Sequence, residues 1–338
     1  MRSLLCFAVR FPSSRLPVRV FLLCVASWAA TIYAQSAPFG SSLTVVANSA
    51  NNGLSLPSGV AVDVRGNVYI ADTGNNRIVE EPWDAKTGSY GAQKTVVSGL
   101  NGPLGIAVNA KGDIYIAQTN SSLVVEVPWN QSTGSYGVPT TVGNGLQGPQ
   151  SVAVDAKGNV YIADTAGNRV IEVPPGCNAA SQPACTIQTT VGNTLYTPAS
   201  VAFDLQGRVY IANMGNGTVI QIPAGCNAAS DPPCTTQTTA NESASPNSVA
   251  VDASGSIYIT QTNSNEVTEV PWVRVIAAYG TPKPLLSDLS NPKSVTVDAR
   301  GNIYIADTGN NRVLKVTPQN SGQPTTYRLR GGSPHTRQ

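Results

Sequence analysis

The side chains best suited to chemistry in this chain are carboxylates and guanidiniums at one fixed spacing. Asp72-Thr-Gly-Asn-Asn-Arg77 returns as Asp164–Arg169 and Asp307–Arg312. An acid five residues before an arginine, with Gly and Asn between, reads most simply as an ion pair locking a tight turn. In three further copies the slot is neutral: Gln118-Thr-Asn120-Ser, Asn213-Met-Gly-Asn216 and Gln261-Thr-Asn263-Ser. Amides and hydroxyls at such turns suit a hydrogen-bonding rim for an uncharged ligand. A second variable position follows a recurring proline and reads Ser58, Leu104, Gln150, Ala199, Asn247 and Lys293. Gln150, Asn247 and Lys293 add polar contacts there. The candidate ligand-binding rim is therefore Gln118, Asn120, Gln150, Asn213, Asn216, Asn247, Gln261, Asn263 and Lys293.

Several kinds of catalysis lack their residues. The single histidine is His335, near the end of the chain. A Ser-His-Asp triad, a histidine acid–base pair and a His-ligated zinc site are thus missing from the body of the protein. A calcium site built from carboxylates needs oxygen ligands converging from several segments. Glu242, Asp288, Asp72, Asp164 and Asp307 are the candidates, but no spacing groups them. We expect no catalytic residue, no metal ligand and no cofactor, with Ca²⁺ as the weaker option.

Four cysteines lie in two matching segments, Cys177-Asn-Ala-Ala-Ser-Gln-Pro-Ala-Cys185 and Cys226-Asn-Ala-Ala-Ser-Asp-Pro-Pro-Cys234. Four cysteines allow three pairings. The repeated spacing favours Cys177–Cys185 and Cys226–Cys234, each worth about 2–3 kcal/mol if unstrained. A metal site would need both loops to converge without a histidine. The corresponding loops elsewhere carry Trp83 with Tyr90, Trp129 with Tyr136 and Trp272 with Tyr279. An aromatic pair and a disulfide are read as two ways to hold the same long loop closed. An aromatic sugar-binding surface is the alternative use of the tryptophans.

These residues must be held by something that repeats. Prolines open six units at Pro57, Pro103, Pro149, Pro198, Pro246 and Pro292, spaced 46, 46, 49, 48 and 46 residues apart. Such a period signals a repeat architecture. Within unit one, alternating apolar residues predict strands over Ser58–Val62, Val68–Ala71, Arg77–Glu81 and Lys94–Val97. Gly66-Asn67 and Asp72–Asn76 form the turns between the first three, and no segment shows a helical period. Four antiparallel strands repeated six times describe an all-β, six-bladed β-propeller. A recurring tyrosine (Tyr69, Tyr115, Tyr161, Tyr210, Tyr258, Tyr304) is assigned to packing between blades. Leu43–Ala47 resembles the fourth strands and precedes unit one. It is expected to complete the sixth blade and latch the ring, with Thr325–Leu329 as the rival.

The chain ends differ from this body. Residues 1–34 hold Arg2, Arg10, Arg15 and Arg19, no acid, and an apolar run from Val20 to Ala34. That pattern predicts a signal peptide cut before Gln35, with an uncleaved anchor as the alternative. Residues 35–41 are a linker, 42–317 the propeller and 318–338 a mobile tail. Removing four arginines takes the formal +2 to about −2, which argues against a nucleic-acid partner.

The motif Val-Ala-Val-Asp-x-x-Gly-Asn-x-Tyr-Ile-Ala-Asp-Thr-Gly-Asn-Asn-Arg, at 60–77 and with one change at 295–312, resembles the NHL repeat. The resemblance covers nearly all of the mature chain, sharply in units one, three and six. It implies a six-bladed propeller of a family made mostly of binding and scaffold modules. Some relatives are lyases with metal-binding histidines, which this body lacks. The reading is a secreted, monomeric propeller at the cell surface or in the periplasm. It binds a protein, glycan or small molecule without catalysis and has no membrane span after cleavage. The alternative is a carboxylate- or metal-dependent hydrolase or lyase on the same fold. A purely structural domain is the third.

Overall fold

A computed structural model describes residues 41–177, 188–226, 237–242 and 245–318. Within it lie six four-stranded antiparallel sheets. Blade one runs Pro57–Val62, Val68–Asp72, Arg77–Glu81 and Lys94–Ser98 from the centre outward. Blades two to five repeat that order. Blade six takes Pro292–Val297, Ile303–Asp307 and Arg312–Pro318 from the end of the sequence and Ser41–Asn48 from its beginning. Leu43 stands opposite Val316 and Asn48 opposite Arg312. The N-terminal strand is therefore the latch. The rival Thr325–Leu329 lies outside the described residues, as do residues 1–34, His335, Cys185 and Cys234.

The second strands explain why the blades must be radial. Val68–Asp72, Ile114–Gln118, Val160–Asp164, Val209–Asn213 and Ile303–Asp307 are buried at every position. A strand buried on both faces needs a neighbour on each side, and the adjoining blades supply it. Each core cluster accordingly joins two blades. Tyr304, Ala306 and Val313 of blade six pack with Val60, Val68 and Ile70 of blade one. Tyr69 of blade one packs with Ile106 and Ile114 of blade two. The repeated tyrosine is an interblade core residue, as its recurrence suggested.

Two local features differ from the sequence reading. A one-turn helix, Ser49–Asn52, follows the latch, with the Asn48 Oδ1 accepting the Asn51 N–H at 2.8 Å. Four of the turns after the second strand close as single 3-10 turns, such as Thr73–Asn75, ending on a left-handed residue such as Asn76 at φ 51°. Asn76 and Asn311 accept that conformation at small cost, while blade two uses Ser122 and blade four Gly217. The Trp loops also gain structure. Trp83–Asp84 pairs with Ser89–Tyr90, Trp129–Asn130 with Ser135–Tyr136 and Trp272–Val273 with Ala278–Tyr279. Among the described residues no helix is long and apolar enough to cross a membrane.

Candidate active site at the channel mouth

The six innermost strands surround a channel that opens into a cavity of about 480 Å³, within the range of small-molecule sites. Its walls are built in rings, because each blade contributes the same positions. The far end is ringed by Val62, Val108, Val154, Phe203, Val251 and Val297. A middle ring reads Gly59, Gly105, Ser151, Ser200, Ser248 and Ser294. The mouth reads Ser58, Leu104, Gln150, Ala199, Asn247 and Lys293, with Met214 beside it.

The serines of the middle ring join blades. Ser151 Oγ accepts the Val201 N–H at 3.5 Å, Ser200 that of Val249 at 3.3 Å, Ser248 that of Val295 at 3.3 Å and Ser294 that of Val60 at 3.4 Å. Blades one and two carry glycine instead. A Cβ at Gly105 would lie 2.5 Å from the Gln150 carbonyl oxygen, and one at Gly59 would strike that of Leu104. Backbones approach more closely at these seams, and no side chain fits. A second ring of hydroxyls lies at the mouth. Thr73, Thr119, Thr165, Thr262 and Thr308 each donate to the carbonyl of the next blade's opening proline, at 2.5 to 2.9 Å. Blade four has Met214 in this place. Its sulfur instead faces the Asn247 Nδ2 at 4.0 Å. The mouth is thus specialised over blades four to six, where Met214, Asn247 and Lys293 succeed one another.

The nine candidate rim residues do not form one surface. Gln150, Asn247 and Lys293 line the cavity. Lys293 makes no ion pair or side-chain hydrogen bond among the described residues, and it is the only charged residue of the lining. Gln118 and Asn213 are 8% and 1% exposed and serve the fold. Gln118 Oε1 accepts the Asn101 N–H at 2.8 Å, and Asn213 Oδ1 that of Tyr196 at 2.7 Å. Asn120 is exposed beside Gly102. Asn216 donates to the Thr194 carbonyl at 3.3 Å, Asn263 to the Ser245 Oγ at 3.0 Å and Gln261 to the Thr268 Oγ1 at 2.8 Å. Sequence reasoning passed over Met214 and the serine ring. The signal for both was present, since Met214 interrupts a threonine kept in five units.

The three Asp–Arg pairs are turn locks, as expected. Asp72, Asp164 and Asp307 are fully buried, and the Oδ2 of each accepts the Nε–H of Arg77, Arg169 or Arg312 at 2.6 to 2.8 Å. Their other oxygens accept the N–H of Ser55, Gln147 and Ser290. No oxygen of these carboxylates is directed into the cavity.

On the opposite face the Trp–Tyr pairs are edge-to-face, with ring centres 4.8 to 5.0 Å apart. They do more than close their own loops. Tyr90, Tyr136 and Tyr279 donate to the hydroxyls of Tyr304, Tyr69 and Tyr210, each in the preceding blade, at 3.5, 3.2 and 3.0 Å. Burial pushes these hydroxyls up, Tyr136 to about 12 and its partner Tyr69 well beyond. Cys177 and Cys226 pack against the cores of blades three and four.

Comparison with known proteins agrees with this architecture. The NHL repeat family matches at residues 54–80, 146–171 and 289–316, which are blades one, three and six. The chain is an NHL-repeat β-propeller. No curated protein sequence matches it. Among solved structures it is similar to the PQQ-bound aldose sugar dehydrogenase of Streptomyces coelicolor, at 19% identity and TM-score 0.57, covering 83% of this chain and 99% of that one. It is similar to a gluconolactonase of Xanthomonas campestris, at 14% identity and TM-score 0.61, covering 82% and 89%. A calcium structure of a carbohydrate-active enzyme of family AA12 from Trichoderma reesei matches at 14% identity and TM-score 0.61, covering 84% and 97%. At these identities the likeness concerns the fold. The expectation of a binding or scaffold module without catalysis is nevertheless corrected, because these solved propellers of the same fold are enzymes.

Two of these neighbours, the aldose sugar dehydrogenase and the AA12 enzyme, were solved with PQQ and with calcium, so the donor set here matters. Calcium takes six to eight oxygens, usually including carboxylates. The cavity lining contains no carboxylate, and among the described residues no three His, Cys, Asp or Glu side chains are grouped to hold a metal. PQQ is a polyanion and would meet one cation, Lys293. The described residues fit neither group.

Proposed function

We propose that this protein is an enzyme, a hydrolase or lyase that takes a small oxygen-rich molecule of the sugar or sugar-lactone class into the channel mouth. The observation behind this reading is the convergence of Gln150, Asn247 and Lys293 on one cavity whose far end is apolar. Convergent polar side chains in a concave site fix the orientation of a small ligand. The names of the neighbours, an aldose dehydrogenase and a gluconolactonase, favour that substrate class. The donor set favours hydrolysis or elimination over PQQ-dependent oxidation.

In this reading the amides of Gln150 and Asn247 bind substrate hydroxyls. The Lys293 ammonium faces the carbonyl or leaving oxygen and stabilises the negative charge that grows on it. A single donor aimed at developing charge is worth about 10²–10³ in rate. The test is proton release from a panel of sugar lactones and sugar esters, with and without EDTA. Saturable turnover that drops about 100-fold in Lys293→Met would support the reading. Absence of turnover across the panel, or undiminished turnover in the variant, would count against it.

We also propose export as a monomer, with residues 1–34 as a cleaved signal peptide and disulfides Cys177–Cys185 and Cys226–Cys234. Intact mass of the exported protein reads both at once. The expected product begins at Gln35 and gains the mass of four hydrogen atoms on reduction of its two disulfides. A product retaining residues 1–34, or one unchanged by reductant, would refute the corresponding part.

A further inference from the structure

Two of the three tryptophan hairpins are covered by a cation of the protein itself. Lys315 Nζ stands 4.6 Å from the centre of the Trp83 ring, 6.0 Å from Tyr90 and 5.6 Å from Tyr304. Arg208 Cζ stands 5.8 Å from the Trp272 ring. In each case the cation belongs to the preceding blade: six before one, four before five. Such contacts are attractive because the ring face is negative.

The third hairpin, of Trp129, receives no such cation from its preceding blade. In blade one the position of Lys315 is held by Glu80 and that of Arg208 by Asn67. A cavity of about 70 Å³ lies there instead, lined by Tyr69, Glu80, Trp129 and Tyr136 among others. Glu80 is also released from the role its counterpart plays. Glu126 accepts the Tyr115 hydroxyl at 2.9 Å. In blade one the Tyr69 hydroxyl turns to Asp63 at 3.5 Å and accepts from Tyr136. Glu80 therefore makes no side-chain hydrogen bond among the described residues. Burial pushes its carboxyl above the ordinary range, while Lys94 and Arg65 pull it back and Asp63 adds to the rise. The repeat has kept the aromatic face, removed the cation that covers it elsewhere, and left beside the gap an acid without a side-chain hydrogen bond, with Lys94 opposite it on the neighbouring strand.

We propose that this cavity between blades one and two binds a primary ammonium group, held between the Trp129 ring and the Glu80 carboxylate. The ligand is an alkylamine or a lysine side chain, which supplies from outside what Lys315 supplies within the chain. Arg65 and Lys111 also line the cavity, and together with Lys94 opposite Glu80 they are the residues that would compete with it.

The test is tryptophan fluorescence of the full chain titrated with n-butylammonium, Nα-acetyl-lysine amide and n-butanol. Both ammonium ligands should give a saturable change and n-butanol none. The tighter of the two identifies free amine or peptide as the source. Glu80→Gln and Trp129→Phe should each weaken binding about tenfold, and Trp83→Phe should not. Glu80→Lys should abolish binding and raise Tm, since its own ammonium then fills the gap as Lys315 does. Equal response to n-butanol, or unchanged affinity in Glu80→Gln, would overturn the proposal. So would a wild-type chain that binds nothing while Arg65→Gln binds, because Arg65 would then be the occupant.

Discussion

Blades one, three and six close their mouth-side turns with a buried Asp–Arg pair, whereas blades two and four close the same turn with Gln118 and Asn213. The link preceding each of these blades is held identically. An oxygen of Asp72, Gln118, Asp164, Asn213 or Asp307 accepts the backbone N–H of the residue seventeen positions earlier, at 2.5 to 2.8 Å. In blade five that earlier residue lies outside the described ones. The fold therefore requires a buried side-chain acceptor at this point, and the charge is an addition to it. The charged version has a second oxygen to satisfy, and Arg77, Arg169 or Arg312 does so. Blade four shows what remains when the arginine is lost. Thr218 stands in its place, and Asn213 Nδ2 is buried without a partner among the described residues.

The largest expected effect should ignore this distinction. Tyr69, Tyr136, Tyr210 and Tyr304 have hydroxyls raised by burial. The neutral form is favoured in the folded state, so this stability is complete below the unfolded value near 10. It is lost as pH climbs through the folded values, beginning with Tyr136 at about 12. Melting followed from pH 9 to 12.5 should show cooperative unfolding coincident with tyrosinate absorbance. Tyrosines that ionise near 10 in a chain still folded would contradict the buried interblade hydroxyls.

Next in size is Asp307→Ala. It removes the acceptor of the Ser290 N–H and the partner of Arg312, and should cost about 2–4 kcal/mol in urea unfolding. In blade four, Asn213→Asp places a carboxylate where no arginine waits and should cost about 2 kcal/mol. Adding Thr218→Arg should recover most of that loss, and failure of the double variant to recover would show that blade four has no room for the guanidinium. Gln118→Ala loses one neutral acceptor and should cost about 1–2 kcal/mol, the least of the three. A cost equal to that of Asp307→Ala would erase the difference between charged and neutral turns.

Much of this organisation was legible in the chain. Period-2 alternation and a 46-residue repeat specify blade, strand order and latch because each strand obeys local rules. The Asp–Arg lock was legible because its partners are five residues apart. Direction was not. Gln118 and Asn213 were read as rim residues from their type, but a side chain at the end of a second strand turns back to the preceding link. Five of six units have an oxygen-bearing side chain there and a described link N–H to meet it, which signals a structural duty. The hydroxyl contacts between Tyr136 and Tyr69 join residues 67 positions apart, and only the closed ring brings them together. The role of the mouth was obscured by what the chain lacks. With no histidine on the body, catalysis was poorly supported and stood only as the alternative, although the lysine proposed to act among amides needs no histidine on an oxygen-rich substrate.

The central claim is that the channel mouth around Gln150, Asn247 and Lys293 performs chemistry. The most direct measurement is the initial rate of sugar-lactone opening by the wild-type chain and by Lys293→Met, with Asn120→Ala as a variant outside the cavity. The account predicts saturable turnover in the wild type, a loss of about 100-fold in Lys293→Met with unchanged Tm, and full activity in Asn120→Ala. Equal rates in all three proteins would contradict it.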